Sequence, residues 1–155
     1  MDRIMIFVDE SNATGAAQEY GRNLDWEVLR QHILASFSAP RLVEMVVYIG
    51  LPPAVPELQD RRSGKERFAR KLQQLGFLVV TKDGAPTDPG HYKSNVDVLM
   101  AIDAMDLSTD IMPDWVVLVT GDGDFAHLAV TLEGPAGQPS AQPTPTQTPG
   151  EFRIT

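Results

Sequence analysis

Short acidic side chains stand at the ends of apolar runs in this sequence, where a sheet would gather them. VDESN at 8–12 sets Asp9 and Asn12 at the end of one run, and TGDGDF at 120–125 sets Thr120, Asp122 and Asp124 at the end of another. SNVDVLM at 94–100 places Asp97 near the start of a helical pattern, just after Lys93 and Ser94. Several carboxylates within a few ångströms of one another cannot all stay ionised without a compensating charge. A divalent cation is the simplest compensation, and oxygen-only ligands favour Mg²⁺ or Mn²⁺ over zinc. Such a centre can polarise a phosphoryl oxygen and activate a water for in-line attack. Each piece also has a plainer reading. An Asp at a strand end can cap a helix, GDGD is an ordinary turn composition, and Asp97 would suit a helix N-terminus. The metal reading of Asp9, Asp97, Asp122 and Asp124 rests on three separate segments aiming at one edge.

That edge requires particular elements. RIMIFVD at 3–9, LVEMVVYI at 42–49, GFLVVT at 76–81 and WVVLVT at 115–120 are short apolar runs rich in β-branched residues, as buried parallel strands are. Trp26, Leu29, Ile33 and Phe37 recur at helical spacing, with Asn23 or Asp25 as the N-cap. Residues 62–75 read as a basic helix ended by Gly76, residues 94–106 as a third helix, and a fourth is expected from Asp124 to about Leu132. Strands alternating with helices predict a mainly parallel sheet in a three-layer α/β/α sandwich. Ligands of such sheets sit at the carboxyl ends of the strands, where the strand order reverses. Asp9, Asp122 and Asp124 therefore converge if the first and fourth strands are neighbours.

Charge follows the same division. The chain of 155 residues carries 21 Asp+Glu against 13 Lys+Arg, a net charge of −8. Nine Asp lie between Asp83 and Asp124, with Lys93 as the one basic residue among them, so this stretch accounts for the whole imbalance. Arg61, Arg62, Lys65, Arg67, Arg70 and Lys71 gather elsewhere, as a solvated helix face or as a phosphate-contacting strip beside the acidic site. An overall acidic chain is not a general polyanion binder. Without cysteine there is no disulfide, thiolate chemistry or Cys-built zinc site. No apolar run approaches the ~20 residues of a membrane span, and the N-terminus reads as a strand rather than a signal peptide; a cytoplasmic location is the expectation. His32 reads as a helix-surface residue, Trp26 as core, and His91 as a loop residue able to approach substrate. Asp103 reads as a residue at the site's margin or a turn cap.

The C-terminal stretch changes character. GPAGQPSAQPTPTQTPG at 134–150 holds five of the twelve prolines and no charged residue, a composition expected to be disordered or PPII-like. The domain is therefore expected over 1–133, with a tail over 134–155. No apolar run supplies the further strand that a doubly wound sheet would place after the fourth helix.

IFVDESN at 6–12, KSNVDVLMAIDAM at 93–105 and VVLVTGDGDFAHL at 116–128 together resemble the NYN domain family, a branch of the PIN-like nucleases. The resemblance covers roughly residues 3–132. It implies a Rossmann-like α/β/α sandwich and metal-dependent RNA cleavage with Mg²⁺ or Mn²⁺ held by clustered Asp residues. By that resemblance Asp9, Asp97 and Asp122 would hold the metal directly or through water. Asp124 would be a further ligand or would orient the attacking water. Asn12 and Thr120 would position carboxylates, water or phosphate, and Lys93, with Ser94 beside it, would contact a phosphate. Arg61, Arg62, Lys65 and Arg70 would track the RNA backbone. Family members often read Lys-Gly before the Val-Asp pair, where Ser94 and Asn95 stand here, and they continue with a fifth strand and a final helix.

Two other functions fit parts of the pattern. One is a non-catalytic RNA- or protein-binding regulatory module that keeps the fold and the metal site; a pure binding module need not retain the acidic set. The other is a small-molecule phosphohydrolase, disfavoured because Ser11 replaces the second acid of a DxD nucleophile motif. An exposed sheet edge would also allow a homodimer.

Overall fold

A computed structural model describes residues 1–121. Four parallel strands form one sheet in the order β3-β2-β1-β6, with β1 at Asp2–Asp9, β2 at Pro40–Leu51, β3 at Leu78–Asp83 and β6 at Trp115–Val119. β1 lies inside the sheet, paired with β2 on one side and β6 on the other. Its near-continuous apolar sequence follows from that position. Ile4, Ile6 and Val8 enter the core on one face, Met5 and Phe7 on the other, and none is more than 1% exposed.

Helices cover both faces. Alternate strand residues with Ala13, Trp26, Ile33, Ala69 and Leu72 build the larger core, so α1 (Glu10–Glu19), α2 (Trp26–Leu34) and α3 (Gln59–Gln74) lie on that side. Met5, Phe7, Val46, Tyr48 and Leu118 build the second core against Val96, Met100 and Ala104 of α4 (Val96–Ile111). The three-layer α/β/α sandwich with a parallel sheet is thus the fold of the described residues. Asp25 rather than Asn23 caps α2, accepting from the Val28 amide at 3.1 Å.

Several boundaries differ from expectation. β2 is longer at both ends, with a register slip opposite Ile4 and Met5 that sets Leu42 and Glu44 on consecutive partners. The third strand begins at Leu78 rather than Gly76, because Gly76 adopts φ +90° and closes the preceding helix. α4 runs five residues past Asp106 and stops at Met112, itself left-handed at φ 51°. The helix α1 was not expected; it buries only Ala13 and Glu10 and so carries no stripe of large apolar residues. The breaker-rich loop at 82–93 holds a short antiparallel hairpin, β4 (Ala85–Pro86) with β5 (Tyr92–Lys93). The helix expected from Asp124 and the tail at 134–155 lie outside the described residues. No helix among the described residues is long and apolar enough to cross a membrane.

Three of the nine clustered Asp residues serve the framework. Asp83 pairs with Arg62 at 2.9 Å, and Asp114 accepts from the Arg3 amide at 2.8 Å. Asp103 accepts the Tyr48 hydroxyl at 2.9 Å. Asp103 is therefore neither a turn cap nor a residue at the site's margin, but a tie between α4 and the sheet. Burial, and then the Asp103 acceptor, push the Tyr48 phenol above its ordinary value. A raised folded value keeps the phenol protonated in the fold, so stability falls as pH rises past about 10. Tyr48→Phe is expected to cost about 1–2 kcal/mol through loss of a bond to a charged acceptor. In an alkaline absorbance titration Tyr48 should stay silent until the protein unfolds.

Candidate functional site

The site forms where β1 and β6 end side by side. Val8 pairs with Val119, so Asp9 and Thr120 leave adjacent strands at one level. Asp9 also opens α1, with the extended backbone of an N-cap. Its carboxylate does not cap the helix end in the usual way. It accepts from the Ser11 hydroxyl on one oxygen and from the Asn12 side-chain amide on the other, each at 2.9 Å. The same Asn12 nitrogen lies 3.4 Å from the Thr120 hydroxyl oxygen. A side chain at Gly121 would set its first carbon 3.3 Å from the Asn12 side-chain oxygen Oδ1. Asn12 thus stitches together the two strand ends, and glycine leaves it room. Ser11 joins this network, although the sequence motif singled out its neighbours.

Asp9 is 4% exposed, and burial pushes its carboxyl above the ordinary value, opposed chiefly by the hydrogen bond from Ser11. No Lys or Arg pairs with it among the described residues. Its neighbour Glu10 is also buried, yet it is fully partnered. The Lys65 ammonium donates to both Glu10 oxygens at 2.8 and 2.9 Å, and Thr14 donates at 3.0 Å. Two adjacent buried acids therefore meet opposite fates, one compensated by a lysine and the other uncompensated. Glu10 was missed in the sequence because nothing local distinguishes it from a solvated glutamate; its partner lies 55 positions away.

A cleft of about 770 Å³ opens over these residues. Asp9, Asn12, Lys93, Ser94, Asp97 and Gly121 all line it. Asp97 stands in the first turn of α4, which begins after a left-handed Asn95 at φ 46°. Gly50 at the end of β2 is required by close approach of Ser94. A side-chain carbon there would lie 2.7 Å from the Ser94 β-carbon and overlap its hydroxyl. This contact sets the segment that leads into Asp97.

The basic strip is divided among different tasks. Arg61 lines the cleft, donates to the Gly90 carbonyl at 3.0 Å and lies 5.4 Å from the centre of the Tyr92 ring. Lys65 lines the cleft but is held by Glu10. Arg62 is bound to Asp83, Glu66 and the Pro52 carbonyl. Arg70 is exposed and stands away from the cleft lining. His91 reaches the cleft, His32 is exposed on its helix, and Trp26 is core.

The donors suit a hard cation. Asp9 offers a buried carboxylate without a cationic partner, and Asp97 lines the same cleft. Among the described residues no three acidic or histidine side chains gather closely enough to hold a metal. Asp122 and Asp124, which follow Thr120 directly, lie outside the described residues.

Comparison with known proteins agrees with this fold. A family model described as the NYN domain matches residues 3–135, a span that includes all four aspartates. No curated protein matches the chain. A crystal structure of a protein of unknown function from Vibrio parahaemolyticus is similar at 27% identity and a TM-score of 0.62, over 85% of this chain and 74% of that one. With the fold, the strand-end acids and a family match over most of its length, the chain belongs to the NYN domain family of PIN-like nucleases.

Proposed function

We propose that the protein is a metal-dependent ribonuclease that hydrolyses RNA phosphodiester bonds in the cleft over Asp9. The observation that carries this reading is the buried, uncompensated Asp9 carboxylate facing a cleft shared with Asp97 and Lys93. Asp9, Asp97, Asp122 and Asp124 would hold Mg²⁺ or Mn²⁺, which when bound neutralises phosphate charge and activates water. Ser11 and Asn12 fix the Asp9 oxygens through their hydrogen bonds. Asn12 also ties Asp9 to Thr120, which precedes the remaining acids. Lys93 and Ser94, lining the cleft beside Asp97, are suited to a phosphate of the substrate strand. Arg61 adds a cation at the cleft rim, whereas Lys65 and Arg62 act mainly through their internal ion pairs.

The test is cleavage of a panel of single-stranded and hairpin RNAs with Mn²⁺, Mg²⁺ or EDTA, comparing the natural chain with Asp122→Asn. Metal-dependent cutting that the variant lacks is the expected result. RNA retention without turnover under every metal would instead make the protein a binding module on the same fold. Cutting that persists in EDTA would overturn the metal reading.

A further inference from the structure

A second cleft, of about 590 Å³, adjoins the first on the side of α3. The two share Glu10, Arg61, Lys65 and Tyr92 as a common wall. We propose that this second cleft binds single-stranded RNA flanking the scissile phosphate, with a base against Tyr92 and a phosphate at Lys71. The inference rests on RNA being the substrate of the first cleft, and it adds a subsite and its residues.

Three observations carry it. The first is charge. Glu10 and Lys65 cancel each other, which leaves Arg61 and Lys71 to set the sign of the cleft. A locally positive groove on a chain of net charge −8 needs a reason. Lys71 has no ion-pair partner among the described residues, unlike Lys65 and Arg62 in the same helix.

The second is the lining. Half-buried Phe68 lines this cleft over the buried Trp26 and Pro52, and half-buried Tyr92 stands where it meets the first. A cationic groove furnished with aromatic rings is the arrangement that binds single strands, because every base has a face to stack and every nucleotide a phosphate to pair. The volume falls within the range of small-ligand sites.

The third is the placement of Tyr92. The hairpin carries this ring against Gly84, where a side-chain carbon would lie 2.5 Å from a ring carbon of Tyr92 and 3.0 Å from the Leu51 carbonyl oxygen. Arg61 covers the ring at 5.4 Å from its centre. The ring, which lines both clefts, is thus held by close packing on Gly84 and by the guanidinium over it. Such fixing reduces the entropy lost when a base stacks. Tyr92 lines both the cleft that holds Asp9 and the one that holds Lys71, so a strand lying in both can pass over this ring.

The test compares the dinucleotide UpU with octauridylate as substrates of the full chain, in the natural form and as Lys71→Glu, Lys71→Arg, Tyr92→Ala and Tyr92→Phe. Circular dichroism melts confirm that each variant folds. In the natural chain kcat/KM for the octamer should exceed that for UpU by about tenfold or more, since each stacked base adds on that scale. The preference should collapse toward one in Lys71→Glu and Tyr92→Ala and return in Lys71→Arg and Tyr92→Phe. A length preference that survives both disruptive variants would overturn the subsite while leaving the ribonuclease reading in place. If no RNA is cut, anisotropy of fluorescein-labelled octauridylate in EDTA decides the matter. Binding weakened about tenfold by either disruptive variant supports the cleft, and equal binding by all forms, or none, overturns it.

Discussion

In Asp9→Asn, metal-dependent RNA cleavage is expected to fall at least about a hundredfold while the melting temperature at neutral pH rises. The activity estimate is a lower bound, since losing an outer partner of a metal ligand already costs roughly 10–100-fold. The stability effect has the opposite sign because of burial. The folded Asp9 carboxyl titrates above its unfolded value. Its neutral form is therefore favoured by the fold. That contribution is fully present below the ordinary value of about 3.9 and is lost as pH climbs to the raised folded value. At pH 7 the ionised group lowers stability, and asparagine removes the charge while keeping an acceptor for one of the two donors, Ser11 or Asn12. Each kcal/mol relieved raises the melting temperature by roughly 2–4 °C in a chain of this size. Thermal melts from pH 4 to 8, with and without Mn²⁺, check both halves. Mn²⁺ should raise the melting temperature of the natural chain and leave the variant unmoved. A variant that melts lower and still cuts RNA would mean that Asp9 is a structural residue.

Lys65→Met is expected to produce the largest loss of stability. The substitution leaves Glu10, whose side chain is 3% exposed, with a single hydroxyl donor and no cation. Removing one partner of a fully buried pair costs about 3–5 kcal/mol; with the Lys65 side chain 32% exposed, solvent screening lowers this to about 2–3 kcal/mol. The melting temperature should fall by roughly 5–10 °C. Glu10→Met combined with Lys65→Met should recover most of it, because the apolar pair avoids the desolvation that both ions suffer. Differential scanning calorimetry of the two single variants and the double variant measures the coupling. A Lys65→Met protein that melts within a degree of the natural chain would show that the pair is not holding α3 to α1.

The strands were legible because burial on both faces leaves a continuous apolar run, as in β1 and β6. The adjacency of the first and fourth strands was only a condition of the site reading, and the pairing of β1 with β6 supplies it. The helix α1 was hidden because its contact surface is one alanine and one partnered glutamate, which leave no large apolar period. The true length of α4 was hidden for the opposite reason. Val98, Ile102 and Met105 are exposed on it while Val96, Met100 and Ala104 are buried, so apolar residues mark no single face. The acidic motif around Asp9 was readable from spacing, but the states of the cations were not. Lys65 and Glu10 are far apart in sequence, as are Arg62 and Asp83. Composition shows a basic strip there, and only the fold shows which members are already taken.

Among the described residues, β6 has a paired strand on one side alone, while β1 is flanked on both. Amide exchange should accordingly be slowest along β1, whose ladder is complete on both sides. The site straddles two neighbouring strands: Asp9 ends β1 and Thr120 directly follows β6. A fluctuation that lifts β6 away would separate the two halves of the centre and open both cores at once, because Val117 and Val119 belong to one and Leu118 to the other. Heat inactivation is therefore expected to coincide with the loss of both cores rather than to precede it.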